Sequence, residues 1–323
     1  MSVNALRKVE NTVNEKVFFF KDNDKNNIYT KVWYPRKRHK VKGIIQVAHG
    51  LGETIEYYEE FADFFIQNGY IVYVNEALGH GRTAGDINDL SYKYTGGNTG
   101  TDGLNHMVNN LKMLTDDIKR KYFNKKIFLI GHSLGSVLSQ IYAYKYGDSI
   151  NGIIFTGAIS DLGEEKFGNL IRIAKNEVET YGRSEPSLEA FNAIFGHLND
   201  KFEPASTEFD WITSDEKMLK ESLSSPYANI QFNTGFYLDF FYALKDRIDK
   251  NNLRKIPKDL PLFFLSGSDD PFGNGIKELF NIYREERLKD ISFNLYEGKR
   301  HSILREVNRS VVFKDILNWI NKH

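Results

Sequence analysis

The chain contains no cysteine, which excludes disulfides, thiolate metal sites and cysteine nucleophiles. It also lacks an excess of either charge, since 43 lysines and arginines stand against 43 aspartates and glutamates. That balance argues against a nucleic-acid surface, where a basic excess is expected. No segment reaches the ~18 consecutive apolar residues of a membrane span. The opening stretch MSVNALRKVENTVNEKVFFF carries no signal-peptide core, because VFFF is far too short. A soluble, cytoplasmic protein is the expectation. No H-x₃-H pair or carboxylate cluster has metal spacing, so neither a metal nor a cofactor is expected. LGHGRT (78–83) lacks the Lys-Ser/Thr ending of a phosphate loop. No internal repeat is visible, and the basic run RKRHK (36–40) reads as a solvated loop.

What the chain has is length and aromatic bulk: 323 residues with 24 phenylalanines and 18 tyrosines, enough for a large core or an apolar cavity. Short branched apolar runs read as strands. KVFFF and IYTKVWY pair as a hairpin across KDNDKNN. GIIQVAHG, YIVYVNEA, KIFLIGHS and INGIIFTGA then alternate with helical segments. The first helix stops at Asn68-Gly69, and the helix after KIFLIGHS ends at Gly147. Such alternation predicts a mostly parallel sheet covered on both faces, an α/β architecture.

The pattern breaks near Ser160. Residues 161–255 have helical periodicity and no convincing strand, after which LPLFFLSG and ISFNLYEG resume the alternation. The expected organisation is an α/β core from 1–160 and 256–323, with residues 161–255 inserted as a helical cap or lid.

The chemistry centres on GHSLG (131–135), a G-x-S-x-G pattern between a strand and a helix. A strained turn there exposes the Ser133 hydroxyl, and the flanking glycines let strand and helix approach. In such a sheet the acid and the histidine follow the serine in that order. Of the histidines beyond Ser133, only His301 directly follows a strand; His197 lies in the insertion and His323 at the terminus. LFFLSGSDDPFG delivers Asp269 and Asp270 after the preceding strand, and one of them would orient His301. The other would serve the turn before the proline. Asp161 is a weaker candidate acid. A tetrahedral intermediate also needs two amide donors. Leu134, after the nucleophile, offers one; Leu51, in the glycine-bearing turn HGLGE, offers the other. His49 reads as structural. Phe232, Phe236, Phe240 and Leu244 recur at i, i+4, i+8 and i+12, a stripe that fits a lid core, a ligand-lining face, or both.

With these residues in view, the chain resembles the α/β-hydrolase superfamily, and within it the monoacylglycerol lipase, lysophospholipase and serine aminopeptidase-like group. The resemblance rests on HGLGE, on YYEEFADFFIQNGYIVYVNEALGHGRT, on GHSLGS, on SGSDDPFG, on YEGKRHSIL and on WITSDEKMLKESLSSPY, which together span the chain from about Tyr34 to its end. It implies a triad of Ser133, Asp270 and His301, with Leu51 and Leu134 at the oxyanion positions. The serine usually found after HGR is Thr83 here, and the region between Gly85 and Gly103 is longer than in the shorter lipases of the group.

The implied activity is hydrolysis of a small acyl ester of monoacylglycerol or lysophospholipid type, through an acyl-enzyme on Ser133. The acyl chain would lie along Phe236 and Phe240, with transient contact with a lipid surface. An aminopeptidase or acyltransferase would use the same parts. A ligand-binding protein built on an inactive hydrolase fold would show a broken set, and here the set is complete.

Overall fold

The structure is a computed structural model describing residues 13–36, 41–228, 230–272 and 276–323. Of the basic run, residues 37–40 lie outside the described residues. The amino-terminal hairpin joins β1 (Val13–Lys21) to β2 (Asn27–Pro35), with Phe20 opposite Ile28 and Lys16 opposite Val32. The strands β3 (Gly43–Ala48), β4 (Tyr70–Asn75), β5 (Lys126–His132), β6 (Gly152–Thr156), β7 (Leu262–Gly267) and β8 (Ile291–Tyr296) complete the sheet. Its eight strands run in the order β1-β2-β4-β3-β5-β6-β7-β8 among the described residues. Every pairing from β4 through β8 is parallel, while β2 is antiparallel to both of its neighbours. The expected mostly parallel sheet is what forms.

Helices cover both faces, so apart from Lys126 at the start of β5 the central strands are buried and read as mostly apolar runs. On one face lie α1 (Glu59–Gln67) and, near the carboxyl end, α12 (Ser310–Lys322). Phe61 and Phe65 of α1 pack on Phe313 of α12, with ring centroids 5.4 and 6.5 Å away. After β4 come two short turns, α2 (Gly81–Ala84) and α3 (Tyr92–Thr95). The opposite face carries α4 (Gly103–Lys121) and α5 (Leu134–Tyr146). Leu104, Met107, Val108, Leu111, Leu114 and Ile118 of α4 recur at helical spacing and are all buried. Gln46, the one polar residue in β3, donates to the Leu111 carbonyl at 2.9 Å and accepts from Thr115 at 2.8 Å. It fixes α4 against the sheet without leaving a buried amide unpaired.

Between β6 and β7 the chain is helical, as its periodicity predicts: α6 (Glu164–Tyr181), α7 (Glu189–Phe195), α8 (Glu216–Ser224), α9 (Thr234–Asp246) and α10 (Lys250–Leu253). A single isolated bridge, Pro186 to Asn233, is the only extended pairing there among the described residues. Asp215 caps α8 and Asn233 caps α9 through side-chain acceptors. Arg247, fully buried at the end of α9, reaches Gln140 of α5 at 2.7 Å and the carbonyls of Ile159 and Ser160 after β6 at 2.6 and 3.0 Å. The insertion is thereby tied back to the sheet where it begins. The last helix of this face, α11 (Ile276–Glu285), seats Leu279 and Tyr283 beside it.

The two helix stops differ in cause. Gly69 takes the left-handed φ of +90° after α1, as the sequence implies. Gly147 has an ordinary helical φ of −54°. Its lack of a side chain is required because a Cβ would sit 2.7 Å from the Pro257 ring.

Candidate active site

Ser133 lies between the end of β5 and the first residue of α5, with φ 52° and ψ −115°. A non-glycine residue rarely holds such a backbone, and the strain persists only where neighbours over-determine it. They do so here. The Ser133 amide donates to the Thr156 carbonyl at 3.0 Å, and its own carbonyl accepts from Ser136 and Val137. A Cβ on Gly131 would overlap the Gly135 carbonyl and Ser139, and one on Gly135 would overlap the Ala48 carbonyl. The side chain of Ser133 is left half-buried, with a hydroxyl that makes no hydrogen bond among the described residues.

The structure brings Asp270 and His301 together. Nδ1 of His301 lies 3.0 Å from both carboxylate oxygens of Asp270, and both side chains are buried. Asp270 Oδ1 also accepts from the Phe272 amide at 2.9 Å. One aspartate thus performs both tasks, correcting the expectation that the pair would divide them. Asp269 points to the surface and pairs with Lys201 of the insertion at 2.7 Å. Asp161 is exposed and accepts from the Gly163 amide. His197 is exposed beside Asp200, and His323 is bound to Trp319 and Asp290. With its Nδ1–H committed to Asp270, His301 presents Nε2 as a buried atom without a partner among the described residues. The edge of its ring lies against Gly157, where an added Cβ would be 2.9 Å from Cε1. Gly157 directly follows Thr156, whose carbonyl holds the Ser133 amide, so His301 and Ser133 flank the end of β6.

The turn after β3 is braced from within. The Glu53 carboxylate accepts from the Gly50 amide and the Tyr58 hydroxyl, each at 2.7 Å. Burial works to raise the Glu53 carboxyl, yet His132, the Tyr58 hydroxyl and the Gly50 amide hold it below the ordinary glutamate value. Gly52 takes φ +72°. Leu51 lies half-buried between them, and Leu134 is buried at the start of α5. No acceptor among the described residues takes up the Leu51 or Leu134 amide. His49 is structural, as expected: Nε2 accepts from the Ala77 amide at 2.9 Å, so Nδ1 donates to the Gly50 carbonyl at 2.8 Å. Thr83 shows why threonine serves after HGR. Its hydroxyl donates to the Glu76 carbonyl and accepts from the Tyr29 amide.

Several neighbours of His301 carried no local sequence signal. His132, the second residue of GHSLG, has its ring 5.0 Å from that of His301 and bonds Thr156 and Ser302 at 3.0 Å each. Burial pushes its pKa down to about 4, so the ring is neutral at pH 7. Trp211 of the insertion and Phe272 after β7 wall the other sides, at 5.0 and 5.5 Å between ring centres. Phe236 and Phe240 are fully buried and stack at 5.5 Å within the main core. From them ring contacts run through Phe232 and His80 to His49, at 4.7, 4.7 and 4.9 Å. The stripe is core, and its end abuts the Leu51 turn.

Residues 39–308 match the family model described as serine aminopeptidase, S33. The chain is 24% identical over 310 residues to a monoglyceride lipase homolog of monkeypox virus, covering 92% of this chain and 95% of that one. It is 22% identical over 307 residues to the monoglyceride lipase of Mus musculus, covering 92% and 88% respectively. Among solved structures, a thermostable carboxyl esterase from Bacillus coagulans superposes with a TM-score of 0.84 at 24% identity, covering 95% of this chain and 98% of that one.

Proposed function

Because this chain belongs to the serine aminopeptidase S33 family of α/β-hydrolases, we propose that Ser133, Asp270 and His301 make it a serine carboxylic-ester hydrolase acting on monoacylglycerols or lysophospholipids. The observation that carries this reading is the Asp270–His301 contact, which leaves Nε2 facing away from the carboxylate, while Ser133 sits in a strained turn bonded to Thr156, one residue before the glycine that the His301 ring lies against.

The Nε2 lone pair takes the Ser133 proton as Oγ attacks the ester carbon, and the imidazolium formed is stabilised by Asp270. The amides of Leu51 and Leu134 receive the developing oxyanion; the second lies at the amino end of α5, where the helix dipole favours negative charge. His301 then returns the proton to the leaving alcohol, giving the acyl-enzyme. Water, activated by the same nitrogen, releases the acid. The acyl chain runs toward Phe236 and Phe240, and because both rings are buried in this structure, the insertion parts to admit it as a lid. Access through such a lid fits transient contact with a lipid surface, and the cytoplasmic location expected from the sequence belongs to the same proposal. Among the described residues no helix is long and apolar enough to cross a membrane.

Esters are favoured over peptides because relatives that the chain matches along most of its length are named monoglyceride lipases. The test is a panel of hydrolysis rates over monoacylglycerols, lysophospholipids and amino-acid anilides. Faster turnover of the anilides than of every ester would favour the peptidase reading.

A further inference from the structure

From Arg300 onward, the loop that carries His301 is bonded to the turn at residues 210–214. Its main-chain amides at His301 and Ser302 donate to the carbonyls of Trp211 and Ile212 at 3.3 and 2.7 Å. The Arg300 guanidinium reaches the Asp210 carbonyl at 2.5 Å, and Thr213 donates to the Arg305 carbonyl at 3.2 Å. At the centre of this seam sits Glu306, with no exposed surface. Its Oε1 accepts from the amides of Ser214 and Arg300 at 3.0 and 2.9 Å, and its Oε2 from the Ser214 hydroxyl and the Val307 amide at 2.5 and 3.1 Å. Four donors from three points of the chain converge on one carboxyl group, and no cation pairs with it among the described residues. Burying a carboxyl group is costly unless its oxygens are taken up, so this one is held in place by the junction it makes.

We infer that Glu306 is a positioning residue for His301, pinning residues 211–214 of the insertion to residues 300–302. It is not a catalytic residue, since it acts through the main chain on either side of the base. On this account the stretch from Asp210 to Ser222 is a fixed wall of the site, and any opening of the insertion takes place elsewhere in residues 161–255. Two more ties agree with a fixed wall: Arg309 pairs with Asp215 at 3.0 Å, and Arg305 bonds the Met218 carbonyl and the Ser222 hydroxyl. The inference rests on the assignment of His301 as base.

The test is steady-state hydrolysis of a soluble short-chain aryl ester by Glu306→Gln and Ser214→Ala, each made in the wild-type and in the His301→Ala background, with Tm recorded for all. Glutamine keeps the shape but turns one acceptor into a donor facing Ser214 and Val307. Misplacement of a base by about 1 Å can cost on the order of 10²-fold. We therefore expect Glu306→Gln to lower kcat by roughly 10- to 100-fold with KM within about threefold. In the His301→Ala background the same change should alter the residual rate by less than about twofold, because the group it positions is gone. Ser214→Ala, which removes one donor, should show the same pattern with a smaller loss and serves if Glu306→Gln does not fold. A folded Glu306→Gln with wild-type kcat, or an equal proportional loss in both backgrounds, would overturn the inference alone. Full activity in His301→Ala by itself would instead remove the base assignment and this inference with it.

Discussion

Both carboxylate oxygens of Asp270 lie 3.0 Å from Nδ1 of His301, while Asp269, its neighbour in sequence, reaches outward to Lys201. Replacing each by asparagine therefore separates them. Asp270→Asn leaves the shape but favours the wrong histidine tautomer, and a loss of about 10⁴ in kcat is expected by analogy with the serine-protease triad. Asp269→Asn removes an exposed ion pair worth about 0–1 kcal/mol and should leave kcat within about threefold. A larger loss from Asp269→Asn would exchange the two roles.

How far these assignments were readable from the residues depends on what each one is bonded to. The central strands were legible because burial on both faces leaves mostly apolar runs such as Ile44 to Ala48, in which only Gln46 is polar. The elbow at Ser133 was legible because its glycines are demanded by close contacts within a few residues or with β3. The choice between Asp269 and Asp270 was not in the local pattern and came from the family resemblance. That Asp270 also closes its own turn went unread, because a single carboxylate oxygen accepting from two directions leaves no mark on spacing. The seam between the insertion and the His301 loop was least legible. Ser214 and Glu306 are 92 residues apart, and most of the bonds around them use main-chain atoms that every residue possesses.

The strain at Ser133 is itself measurable. A left-handed backbone at a non-glycine residue costs about 1–3 kcal/mol, whereas glycine there costs roughly 0.4–1 kcal/mol through the unfolded chain. Ser133→Gly should then be more stable than Ser133→Ala by about 1 kcal/mol, a rise of about 2 °C in Tm, while both are inactive. Equal or reversed melting temperatures would mean that the elbow stores no strain.

Stability should fall as the medium is acidified below neutrality. Burial lowers the pKa of His132 to about 4 and that of His80 to about 3. Between pH 6.5 and those values the unfolded chain takes up protons at both positions and the folded chain does not, so unfolding becomes more favourable as pH drops. Over these windows the penalty is on the order of 3 kcal/mol for His132 and about 5 kcal/mol for His80. Urea midpoints measured at pH 7, 6 and 5 should decline steadily, and the decline should shrink in His80→Gln. A midpoint unchanged between pH 7 and 5 would show that the two rings are not held neutral.

Phe236 and Phe240 are predicted to serve both packing and the acyl chain. Either alanine variant should lose about 3–5 kcal/mol of stability as a buried phenylalanine. Below the melting transition, kcat/KM should drop more for C16 than for C2 esters, since each buried CH₂ is worth about 0.8 kcal/mol. An equal loss at both chain lengths would confine the stripe to packing.

The central claim is that Ser133 is the nucleophile of an ester hydrolase. Its most direct measurement is intact-mass and peptide-level mass spectrometry after brief exposure to a fluorophosphonate, alongside monoacylglycerol hydrolysis by the same samples. The account predicts one adduct per chain on the peptide containing Ser133, loss of hydrolysis in step with labelling, no adduct in Ser133→Ala, and slow labelling in His301→Ala. An adduct on another residue, or hydrolysis retained by Ser133→Ala, would contradict it.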